Sequence, residues 1–146
     1  MGTILGVFGF TITHLIYLLS LMGIERYTSQ NSPKIENQSH LERIVKIEIE
    51  KMGLKDKNIK VKLSNDRGIK SNATQFKDNH YEIILSPPHN DLGVLRHELY
   101  HIADGHFLTE KEIKEIGIFE GIIYKFGYIY YREPKAAIYA FKNLER

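Results

Sequence analysis

Residues 91–106 read DLGVLRHELYHIADGH, and the periodicity of this stretch decides the fold. Leu92, Leu95, Leu99, Ile102 and Ala103 recur at helical spacing and form one apolar stripe. A helix from about residue 91 to 104 follows, with Asn90 or Asp91 placed to cap it. At 100° per residue, His97 and His101 fall nearly opposite the stripe. They are one turn apart, so both imidazoles reach the same point in space. Glu98 lies on the flank beside them. H-E-x-x-H needs this arrangement: two nitrogen ligands on adjacent turns and a carboxylate near the metal. Zn²⁺ lowers the pKa of water towards ~7, and Glu98 then suits a general base. With seven histidines in 146 residues, the motif arises by chance roughly 0.03 times per shuffled chain of this composition.

A zinc hydrolase site usually takes three protein ligands and leaves one position for water. The chain has no cysteine, so thiolates are excluded and the third ligand is His, Asp or Glu. Glu133 is favoured. It precedes Pro134, which suits the first turn of a helix, and Ala136 and Ala137 allow that helix to approach the motif helix closely. A carboxylate there also suits plain helix capping. Glu120 competes as ligand, and Gly121 follows it. His106 is placed for a structural or orienting role.

Outward from the motif, residues 81–85 and 73–76 read as two strands of a hairpin through Lys77, Asp78, Asn79 and His80. Ser86, Pro87 and Pro88 stop the second strand. Ile59, Val61 and Leu63 alternate with Lys60 and Lys62, marking another strand with one face in water. Residues 39–53 read as a helix with Ser39 at its cap, Glu42 completing a capping box, and Gly53 at its end. Leu41, Ile44, Val45 and Met52 share its apolar face. Helix, strands, then helices predict an α+β domain with a small, mostly antiparallel sheet. Residues 116–131 are apolar and aromatic, and fit a buried helix or a hairpin equally.

Residues 2–24 carry no formal charge. As a helix they reach roughly 30 Å or more, the thickness of a bilayer's hydrocarbon core. The expected organisation is a transmembrane anchor over 1–26, a polar linker over 27–38 and a catalytic domain over 39–146; a cleaved signal peptide and a helix buried in the soluble domain are the competing readings of the apolar run. Arg26, Lys34 and Arg43 follow the run and no Lys or Arg precedes it, which places the domain in the cytoplasm. The net charge of +2 is scattered, and no face is dedicated to phosphates. Nucleic acid is therefore not an expected partner.

HELYHIADGH followed by EPKAA resembles the gluzincin-type metallopeptidases. It is most similar to the HtpX-like and CAAX-prenyl-protease membrane peptidases and to ImmA/IrrE-type domains, over residues about 80–141. The resemblance implies a zincin-like fold preceded by one apolar helix, peptide-bond hydrolysis and a protein or peptide substrate. It implies Zn²⁺ held by His97, His101 and the Glu133 of an E-x-x-A motif, with Glu98 as base. It also implies that the strand before the motif helix, residues 81–85, lies at the sheet edge and pairs with substrate. Ala137 stands where many relatives have Asp or Asn. The larger membrane peptidases have several apolar spans, and only one is visible here. Two other functions fit the same residues: a regulatory protease of one specific partner, or a non-catalytic metal-binding domain at a membrane.

Overall fold

The computed structural model describes residues 2–105, 107, 121, 124–125 and 127–144, with side chains from Thr13 onward. The architecture is α+β. Helix α1 spans Gly2–Asn31 and α2 spans Gln38–Lys51. Strands β1 (Asn58–Leu63), β2 (Asn72–Lys77) and β3 (His80–Leu85) follow, then α3 (Leu92–Ala103). A π-helical turn over Tyr128–Arg132 runs directly into α4, Glu133–Lys142.

The sheet order is β1-β3-β2. β2 and β3 pair antiparallel through the two-residue turn at Asp78 and Asn79, with Asn79 at φ 57°. Asn tolerates that left-handed conformation better than most residues. β1 pairs parallel to β3, Ile59 opposite Tyr81 and Leu63 opposite Leu85. The sheet is therefore mixed, which corrects the expectation of a mostly antiparallel one. β3 is its central strand, so residues 81–85 are not the edge that the resemblance implied. The physical reason is visible in burial. Tyr81, Ile83 and Leu85 are all buried, and the β3 backbone is paired with β1 on one flank and β2 on the other, so it offers no free edge to an extended peptide. The edge nearest the motif helix is β2.

The core lies between the sheet and helices α2 and α3. Leu95, Leu99 and Ile102 of α3 meet Leu41 and Val45 of α2 and the three buried residues of β3. The stripe read from the sequence is the buried face, except that Ala103 is exposed. α2 begins one residue before the expected start. Its cap is Asn37, whose side chain accepts the His40 N–H at 2.9 Å, not Ser39. Glu48 of α2 and Arg96 of α3 are both buried and form a two-pronged ion pair at 2.9 and 3.0 Å. Arg96 also donates to the Asn143 carbonyl at the end of α4. Arg96 and Lys51 together hold the Glu48 carboxyl below its ordinary pKa, against the upward pull of burial.

Residues 27–38 do not form a free linker. α1 continues to Asn31, and Ile35 is fully buried. The 33–35 segment is stitched to 90–92: Ile35 N–H donates to Asn90 O, Leu92 N–H to Pro33 O, and Asn90 Nδ2 to Ile35 O. Asp91 is fully buried. It caps α3 by accepting the Val94 N–H at 3.0 Å, and also accepts from Ser29 Oγ and Lys34 Nζ. One carboxylate thus fixes α1, the 33–35 segment and the start of α3.

His14 and Tyr17 of α1 pack on Tyr130, and Tyr17 Oη donates to the Ile129 carbonyl. Among the described residues, no helix is long and apolar enough to cross a membrane. The side chains of 2–12, half of the expected anchor, lie outside the described residues. α1 touches α3 most closely at Gly93, where an added Cβ would meet Ser32 Oγ at 2.5 Å and Thr28 Cγ2 at 2.7 Å. Gly93→Ala is expected to cost about 1–3 kcal/mol of stability by this overpacking. Urea unfolding followed by far-UV circular dichroism checks this, and an unchanged midpoint contradicts the close packing of α1 on α3.

Candidate metal centre

α3 presents His97 and His101 from its apolar-stripe-free face, as the spacing requires. His101 is buried and His97 half-buried. Their Nε2 atoms are 3.1 Å apart. α4 supplies the third group. Ala136, Ala137 and Ala140 are all buried, and these small side chains let α4 lie close against α3. Tyr100 of α3 packs on Tyr139 of α4, with ring centroids 5.1 Å apart. Glu133, the first residue of α4, then lies over the two imidazoles. Its Oε2 is 3.2 Å from His97 Nε2 and its Oε1 is 3.5 Å from His101 Nε2.

Glu133 does not serve as a plain helix cap. The π turn flows into α4 with Arg132 already helical, and no side chain caps the helix start. The carboxylate is turned instead towards the histidines. One donor atom from each of His97, His101 and Glu133 falls in a group spanning at most 4.8 Å, which can hold a metal ion. Glu120 and His106 lie outside the described residues.

The sequence reading missed Tyr128. Its ring stacks on His101 with centroids 5.4 Å apart and planes 19° from parallel. Its hydroxyl is 3.5 Å from His101 Nε2 and lies near enough to Glu133 to help lower its pKa. The π turn places it there: one wider turn shifts the register of the helix just before Glu133. The aromatic-rich run over 124–131 was the available signal, but periodicity alone does not reveal a π turn.

The electrostatics are tightly coupled. Burial favours the neutral form of Glu133, yet hydrogen bonds from His101, His97 and Tyr128 outweigh it and hold its pKa well below the usual carboxylate range. Burial disfavours the charged form of His97, but the hydrogen bond to Glu133 and the nearby Glu98 charge outweigh it, so its pKa is raised. Burial raises the Tyr128 hydroxyl, and the Glu133 charge raises it further. Glu98 is pushed up, chiefly by burial, although the two histidines and the Ala73 N–H of β2 favour its ionised form.

No family model, no curated protein and no solved structure matches this chain. The geometry of the site therefore carries the functional argument by itself.

His97, Glu98, His101, Tyr128 and Glu133 line one cavity of about 980 Å³. The far wall belongs to α1, through Met22, Glu25 and Ser29, and the floor to the start of β2, through Asn72 and Ala73. A metal needs both imidazoles neutral, so protons compete with it. Because His97 has a raised pKa, metal affinity is expected to rise with pH through a window above the ordinary 6.5. Metal-free protein should behave oppositely. The charged His97 stabilises the fold fully below its unfolded pKa, and that contribution is lost as pH rises through the folded value. Zinc titrations and thermal melts in chelator across pH 5–9 check both slopes. Glu133→Gln should flatten the second, and parallel slopes would contradict the coupling.

Proposed function

We propose that this chain is a zinc metallopeptidase domain of the gluzincin type. In this reading His97, His101 and Glu133 are the zinc ligands and Glu98 is the general base. The observation that carries it is the convergence of Glu133, from a separate helix, on the two histidines of the H-E-x-x-H segment. The spacing of the donors fits. Zinc bonds of 2.0–2.1 Å put tetrahedral ligands about 3.3–3.4 Å apart, and the three donor separations are 3.1, 3.2 and 3.5 Å.

Zinc in such a ligand set supplies Lewis acidity, polarising a peptide carbonyl and lowering the pKa of water. The protein's own groups do the rest. Glu98 has a carboxyl raised towards the working range of a base that must accept and then return a proton. It takes the proton of the attacking water and delivers it to the leaving amine. It lines the same cavity as Ala73 at the start of β2. Tyr128 braces Glu133 and His101 from behind, so the ligands are ordered before substrate arrives. An extended peptide has room along β2, the sheet edge that borders the cavity.

A membrane-associated location is supported by a different observation. Leu15 and Ile16 of α1 are 57% and 60% exposed, on a helix whose uncharged run continues to Gly2. Such an apolar face suits contact with lipid.

Glu98→Gln is expected to keep about one zinc per chain and lose hydrolysis of a peptide library by about 100-fold or more. Metal analysis together with mass-spectrometric detection of cleavage checks this. Full activity in the variant overturns the mechanism.

A further inference from the structure

The proposed mechanism uses two of the three carboxylates in the cleft, Glu98 and Glu133. The third is Glu25, on α1. Its placement follows from helix register. α1 and α3 meet most closely where Gly93 faces Thr28 and Ser32. His97 lies one turn beyond Gly93 along α3, and Glu25 lies one turn before Thr28 and Ser29 along α1. Ser29 is itself locked to Asp91. The register therefore brings Glu25 to the cavity wall facing His97, within electrostatic reach of His97, His101 and Glu133.

Glu25 is not part of the ligand group, whose donor atoms lie within 4.8 Å of one another. No described residue hydrogen-bonds or ion-pairs with its carboxylate. Lys70, which also lines the cavity, stands beyond the 4.0 Å of an ion pair. Glu25 is exposed to solvent, so its carboxylate is accessible to an entering ligand, and a charge-assisted hydrogen bond from a cationic donor is among the stronger polar contacts it can make.

We propose that Glu25 is the specificity-determining residue of the cleft, receiving an ammonium or guanidinium group of the substrate beside the reacting bond. This rests on the cleft being a peptide-binding site. Two sources carry that chemistry: a Lys or Arg side chain, or a free peptide α-amine.

The test is binding, so that it stands apart from hydrolysis. Zinc-loaded Glu98→Gln protein is titrated with C-terminally fluorescein-labelled hexapeptides in an anisotropy assay. The peptides are a neutral acetylated Ala/Leu sequence, acetylated versions with one Lys or Arg, and the unblocked neutral sequence. Acetylated basic peptides report side-chain recognition, and the unblocked peptide reports α-amine recognition. At least one cationic set is expected to bind about tenfold tighter than the neutral peptide, the scale of one charge-assisted hydrogen bond. Adding Glu25→Gln should abolish that preference, and Glu25→Lys should reverse it. No preference, a preference that survives Glu25→Gln, or no peptide binding at all overturns the proposal. A Glu25-dependent preference with no cleavage of any peptide by the unsubstituted protein upholds it and overturns the peptidase reading.

Discussion

Helix α3 must satisfy neighbours on every side, and the rest of the structure depends on that constraint. Its apolar stripe is buried against the sheet and α2 through Leu95, Leu99 and Ile102. Gly93 lets α1 close over its first turn. Arg96 is drawn into a buried pair with Glu48, worth little against an apolar alternative but strongly destabilising if half removed. The remaining face is the one that carries His97 and His101, and α4, with its alanines, comes close enough to reach it. A helix held on three sides has no freedom to rotate, so the two imidazoles are fixed before any ligand arrives.

That rigidity shapes the chemistry. Two imidazoles and a carboxylate within 3.1 to 3.5 Å of each other repel or attract strongly according to their protonation. The protein resolves the conflict by keeping Glu133 ionised and tying it to Tyr128 and both histidines. Glu98 faces the opposite pressure, since burial favours its proton. The two glutamates are thus separated by environment: Glu133 is kept charged beside the histidines, and burial favours the proton on Glu98.

Much of the site was legible in the sequence because it depends on local periodicity. The spacing of His97 and His101, the stripe of Leu95, Leu99 and Ile102, and the Asp91 cap all follow from the helical repeat. Glu133 was legible too, because Pro134 and the following alanines mark a helix start that tolerates close packing. The non-local features were not. Period-two alternation identified β1 and the hairpin reading identified β2 and β3, but neither carries information on strand order, so the central place of β3 and its parallel pairing with β1 were missed. The polar composition of 27–38 suggested a linker. Its polar side chains instead serve specific partners: Ser29 and Lys34 meet Asp91, and Thr28 and Ser32 are small enough to face Gly93. Tyr128 depends on a π turn, which shifts register without changing composition.

The proposed chemistry requires that His97, His101 and Glu133 bind one zinc together. Zinc K-edge X-ray absorption on the purified protein tests this most directly, with Glu133→Gln measured beside it. One zinc per chain is expected, with two imidazole nitrogens and a carboxylate oxygen at about 2.0–2.1 Å, and loss of the oxygen shell or of the metal in the variant. A zinc site unchanged by Glu133→Gln, or no tightly held zinc in the protein, would contradict it.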